Sequence, residues 1–189
     1  MANILVIGDS ISMGYLEEVQ RKLADVAEVV HNPGNGGDSA NVLANLDAWL
    51  AETEPDLVSL NCGLHDLKRQ PGTRTYQVPI EAYRANLVAV LARLRAARCH
   101  VVWVATTPVL DERHQARKPF DRYNADVIEY NAMARALAEE AELAVIDLYQ
   151  AALELGLETA LGPDGVHFTP EAYDALGRVV AAGLREHLA

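Results

Sequence analysis

The chain has little with which to cross-link or anchor itself. Two cysteines, Cys62 and Cys99, stand in 189 residues. Both fall within or beside segments that read as buried strands, where cysteine behaves as a small hydrophobe, so neither a disulfide framework nor a cysteine metal site is expected. No apolar run reaches the ~18 residues of a membrane helix. The first ten residues lack the charged start and long apolar stretch of a secretory signal, and a cytoplasmic location is the expectation. Positive charge is scarce as well: 16 Lys and Arg against 27 Asp and Glu give a net charge of -11. Such a surface repels nucleic acid phosphates and anionic membranes, so neither is an expected partner. The one local exception is the stretch from Arg113 to Arg122. There are no repeats and no low-complexity tracts. Half the residues are hydrophobic, so residues 1–189 read as one domain able to bury a full core without metals or disulfides.

Five short apolar runs recur, at Ile4–Ile7, Ala27–Val30, Leu57–Leu60, Val101–Ala105 and Ala144–Ile146, each bounded by turn formers or by a periodic segment. Between them lie helical patterns, roughly Met13–Asp25, Ser39–Ala51, Ile80–Ala97 and Asp126–Glu142. A last helix, Pro170–His187, opens with Thr169 as N-cap and Pro170 in the first turn. Strands that are continuously apolar are buried on both faces, and alternation with helices demands parallel crossovers. The fold class is therefore α/β, a three-layer α/β/α sandwich. In such open sheets ligands bind beyond the carboxyl ends of the strands.

Polar residues gather at that edge. Gly8-Asp9-Ser10 follows the first strand, Gly36-Gly37-Asp38-Ser39 enters the second helix, Gly63-Leu64-His65-Asp66 follows the third strand, and Asp164-Gly165-Val166-His167 precedes the last helix. Seen alone, Gly-Asp-Ser is a turn into a helix cap, and Asp-x-x-His is unremarkable. Together they supply a hydroxyl, a base and a carboxylate, the three groups a serine nucleophile needs. Ser10, His167 and Asp164 fill those roles. The Ser10 N–H at a helix start and the Gly37 N–H are candidate donors to an oxyanion.

These four blocks resemble the SGNH hydrolases, also called the GDSL esterase/lipase superfamily, over Gly8 to about Phe168. The resemblance implies a flavodoxin-like five-stranded parallel sheet, Ser10 as nucleophile, Gly37 as oxyanion donor, His167 as base and Asp164 as its orienter, with no cofactor and no metal. It also implies an asparagine as the third oxyanion donor, and here that position is His65. An imidazole donates one N–H when neutral and two when protonated, so an oxyanion role for His65 is open, beside a structural or substrate-contacting one.

Asp9, Asp66 and Arg113 are candidate substrate-binding residues. Bracing is the alternative for the two aspartates, as acceptors at a helix start and between loops. The long segment Pro108–Asp126, rich in charge, is expected to set the substrate. Trp49, Trp103 and most tyrosines read as packing, with Tyr76 and Tyr123 the loop exceptions. The expected activity is hydrolysis of small-molecule carboxylic esters, short-acyl ones such as acetyl esters, including those of carbohydrates. The alternatives are a non-hydrolytic acyltransferase or carbohydrate-binding relative, and a lysophospholipase or thioesterase. A phosphate-accepting receiver is a poor fit, because Leu148-Tyr149-Gln150 after the fifth strand offers no lysine.

Overall fold

The structure is a computed structural model and describes residues 1–188. Five parallel strands, β1 (Ala2–Ile7), β2 (Ala27–His31), β3 (Leu57–Leu60), β4 (His100–Val104) and β5 (Ala144–Ile146), form one sheet in the order β2-β1-β3-β4-β5. The expected α/β sandwich and its flavodoxin-like order are what is seen. Ile4, Leu5, Val6 and Ile7 have no exposed surface, so each side chain contributes roughly 1.5–3 kcal/mol of burial and β1 is the centre of the core.

Helices cover both faces. On one, α1 (Ser10–Leu23) packs along α8 (Pro170–Arg185); on the other lie α2 (Ser39–Thr53), α3 (Ile80–Ala96) and α5 (Asn124–Glu140). Asp9 caps α1 by accepting the Ile11 N–H at 2.9 Å, so this helix begins at Ser10, three residues before the apolar period starts. Thr169 caps α8 with Pro170 in its first turn, as its sequence implies.

Three short helices escape the apolar periodicity: α4 (Asp111–Gln115), α6 (Leu148–Glu154) and α7 (Leu157–Ala160). Each has about two turns or fewer, too short to display a repeating face. The cysteines flank strands rather than lie in them: Cys62 is buried just after β3 and Cys99 half-buried just before β4. Among the described residues no helix is long and apolar enough to cross a membrane.

Strand order reverses at β1, and the crevice between the carboxyl ends of β1 and β3 is the switch point. Ser10 leaves the end of β1, and His65 lies five residues beyond the end of β3. The topology thus delivers both to one crevice.

Candidate active site

Ser10 is the first residue of α1, so its N–H has no acceptor within the helix and points with the helix dipole toward the rim. Its Oγ lies 2.9 Å from His167 Nε2. His167 Nδ1–H donates to Asp164 Oδ2 at 2.6 Å, which leaves Nε2 as the acceptor of the Ser10 hydroxyl proton. Asp164 Oδ1 accepts the backbone N–H groups of Val166 and His167 at 3.1 and 3.0 Å, closing the Asp-Gly-Val-His turn on itself. The turn is pinned from outside, where Leu110 N–H donates to Gly165 O at 2.8 Å. Burial pushes the Asp164 carboxyl up, but the hydrogen bonds from the His167 ring and from the two backbone groups outweigh it, and it lies well below the usual carboxylate range. It is an anion at any pH where the imidazole is neutral. The His167 side chain is 41% exposed, so the rim is open to a substrate.

The glycines after β2 divide two tasks. A Cβ on Gly36 would stand 2.6 Å from Gly8 O, and Gly36 N–H donates to that same oxygen at 2.9 Å, so this residue locks the second block onto the first. Close approach is therefore the role of Gly36, not of Gly37. A Cβ on Gly37 would meet nothing nearer than 3.8 Å; glycine is needed there for its φ of +65°. The Gly37 N–H donates to Asn35 Oδ1 at 2.9 Å, so in this structure it is engaged within its own loop.

His65 faces the crevice with 20% of its side chain exposed, its Nε2 3.9 Å from Asp9 Oδ2. Burial, reinforced by the charges of Lys68 and Arg122, pulls its pKa down to about 4. At neutral pH the ring is neutral and has a single N–H to give. The doubly donating, protonated form therefore has no place near pH 7.

Three expected substrate contacts lie elsewhere. Asp9 is 1% exposed and serves α1 as its cap. Asp66 is fully buried, with Oδ1 accepting both the N–H and the hydroxyl of Ser39 and Oδ2 the same N–H, so it ties the third block to α2 and presents nothing to solvent. Burial raises its carboxyl to about 7 against those hydrogen bonds. An acceptor so enclosed also excludes the receiver reading. Arg113 turns away to Glu158 and the Leu161 carbonyl, clamping α7. The loop tyrosines Tyr76 and Tyr123 sandwich the Arg69 guanidinium, with ring centroids 4.9 and 4.7 Å from Cζ, and are not free platforms.

Two residues of the charged segment expected to set the substrate, Lys118 and Arg122, stand at the site. Lys118 Nζ is 3.4 Å from Asp164 Oδ2. Arg122, 5% exposed, donates from Nε to Leu64 O at 2.6 Å, immediately before His65. Both lie on the charged segment between β4 and α5, and only its path across the rim separates them from Arg113. Among the described residues no cluster of three or more His, Cys, Asp or Glu is arranged to hold a metal ion.

A parallel sheet carrying a serine, histidine and aspartate in one hydrogen-bonded chain at its carboxyl rim places the protein among the α/β hydrolytic enzymes. The chain belongs to the GDSL-like Lipase/Acylhydrolase family, whose model matches residues 6–175. Solved structures share the architecture. A lipase/acylhydrolase from Enterococcus faecalis superposes with a TM-score of 0.84 at 22% identity, covering 100% of this chain and 98% of that one. A catalytic mutant of Axe2, an acetylxylan esterase from Geobacillus stearothermophilus, gives 0.80 at 19% identity over 97% and 94%. The acetyl xylan esterase AlAXEase gives 0.75 at 20% identity over 98% and 100%. No curated protein matches the chain.

Proposed function

We propose that the protein hydrolyses short-acyl carboxylic esters through an acyl-enzyme on Ser10. The observation that carries this reading is the continuous chain from Ser10 Oγ through His167 to Asp164, with separations of 2.9 and 2.6 Å. His167 Nε2 takes the hydroxyl proton as Oγ bonds to the ester carbon, and the carbonyl electrons move onto oxygen. The Ser10 N–H meets that oxyanion, joined by the Gly37 N–H once Asn35 yields and by the His65 N–H. His167 then gives its proton to the departing alkoxide. A water, deprotonated by the same nitrogen, attacks the acyl carbon and restores Ser10.

A short acyl group is supported by the acetylxylan esterases among the structural neighbours. A cleft of about 590 Å³ lies at the opposite end of the sheet, between the ends of α3 and α5, away from Ser10 and His167.

The test is hydrolysis of p-nitrophenyl esters of increasing chain length, with acetylated oligosaccharides, lysophospholipids and acyl thioesters alongside. Acetate esters should be cleaved best. Products analysed with a sugar acceptor present separate hydrolysis from transfer, and acyl transfer without hydrolysis would overturn the proposal.

A further inference from the structure

Building on the esterase reading, we propose that Arg122, assisted by Lys68, seats an anionic group of the substrate, a carboxylate or phosphate carried close to the scissile ester. The guanidinium is built into the rim rather than draped over it. Its Nε is spent on the Leu64 carbonyl at 2.6 Å, and its face lies 5.1 Å from the centre of the Phe120 ring. Lys68 Nζ lies 5.1 Å from the same ring, so one aromatic ring carries two cations.

The two terminal nitrogens are what remain. Neither makes a hydrogen bond or ion pair with any described residue. The sealed, partnerless side-chain atoms belong to Asp9, Arg69, Thr107, His114 and Asp126, so the free Nη groups of Arg122 keep contact with solvent. A guanidinium with its stem buried and its fork unpaired is preorganised for a two-oxygen anion. Its place is fixed by its bond to Leu64, the residue before His65, whose Nε2 stands 3.9 Å from Asp9 Oδ2, next to Ser10 in the chain; the charges of Asp9 and Asp164 act on it in turn. Asp164 is committed to His167, and Asp9 reaches no ion-pair distance to the guanidinium. Lys118 adds a third cation, 3.4 Å from Asp164 Oδ2, and Asp38, Asp9 and Asp66 are the acidic groups whose charges act on Lys68. A protein of net charge -11 thus gathers a buried arginine and two lysines around the loop before His65 and the Asp164 carboxylate.

The experiment compares phenyl acetate, 4-acetoxybenzoate and 4-acetoxyphenyl phosphate as substrates of the wild type, Arg122→Gln, Lys68→Gln and, as a control of equal charge change, Arg117→Gln on the exposed part of the same segment. Each variant is referred to the wild type on the same ester, so differences in leaving group cancel. Arg122→Gln should lower kcat/KM on one or both anionic esters about 10- to 100-fold more than on phenyl acetate, chiefly through KM. The preferred anion then names the source. Lys68→Gln should act in the same sense more weakly, and Arg117→Gln should show no such discrimination.

An equal loss on all three esters would mean that Arg122 is only a counter-ion for Asp9 and Asp164, and would overturn the proposal. If Arg122→Gln does not fold, the Lys68→Gln ratio decides: no selective loss on anionic esters defeats it. Calorimetric titration with inorganic phosphate and with benzoate gives a reading independent of turnover, with affinity lost in Arg122→Gln. Serine-dependent hydrolysis of phenyl acetate without anion preference refutes this inference alone. Anion binding without hydrolysis of any ester refutes the esterase reading alone.

Discussion

His65 Nε2 stands 3.9 Å from Asp9 Oδ2, a buried carboxylate oxygen that accepts no hydrogen bond. The neutral imidazole has one N–H, and Asp9 and an oxyanion compete for it. Burial raises the Asp9 carboxyl, opposed by the Ile11 N–H and the charges of Arg122 and His167. His65→Asn should therefore keep most of the rate on acetate esters, and His65→Ala should lose roughly 100-fold in kcat. Equal, near-wild-type rates for both variants remove His65 from the reaction.

Lys118 shares Asp164 Oδ2 with the His167 ring. The lysine side chain is 31% exposed, so solvent screening keeps the ion pair weak. Lys118→Gln should cost less than about 1 kcal/mol of stability in chemical denaturation. A loss of several kcal/mol would show that the pair is a structural tie.

His114 is fully buried against Phe120 and near the Asp164 backbone, and neither ring nitrogen makes a well-formed hydrogen bond. Burial and the charge of Arg122 pull its pKa from 6.5 to about 4. The unfolded chain takes up the proton first as pH falls, so this residue lowers stability progressively between about 6.5 and about 4, and no further below that. His114→Leu removes two unsatisfied buried atoms and should stabilise the protein by about 1 kcal/mol or more at pH 7. Its advantage in Tm over the wild type should widen across that window. A lower Tm at pH 7 would show that the ring has a partner.

Asp66 and Ser39 join the third block to α2 entirely out of solvent. Asp66→Ala leaves the Ser39 N–H and O–H donors without their acceptor in the core, Asn86 still donating to the Ser39 oxygen, a loss expected at about 2–4 kcal/mol. Chemical denaturation should show a midpoint well below that of the wild type. An unchanged midpoint means that the bridge is dispensable.

The strands were legible in the sequence because a fully buried parallel strand is a continuous apolar run, and their carboxyl ends told where Ser10 and His167 would meet. The start of α1 was not, because Asp9 caps the helix and its first turn carries no apolar period. Nor could the sequence distinguish Arg113 from Arg122. Which of them faces Ser10 is decided by long-range pairings, Arg69 with Asp121 across two loops and Arg113 with Glu158 on α7. The same segment hides Lys118 beside Asp164, forty-six residues away in the chain. Tyr76 and Tyr123 looked free because nothing local announces that Arg69 lies between them.

The central claim is that Ser10 carries the acyl group, and Ser10→Ala tests it most directly. Steady-state hydrolysis of p-nitrophenyl acetate should fall on the order of 10⁴- to 10⁶-fold, with the fold unchanged by circular dichroism. Quenched wild-type enzyme should carry acetyl on the peptide containing Ser10. Activity within tenfold of the wild type in Ser10→Ala, or acetyl on a different residue, would contradict the account.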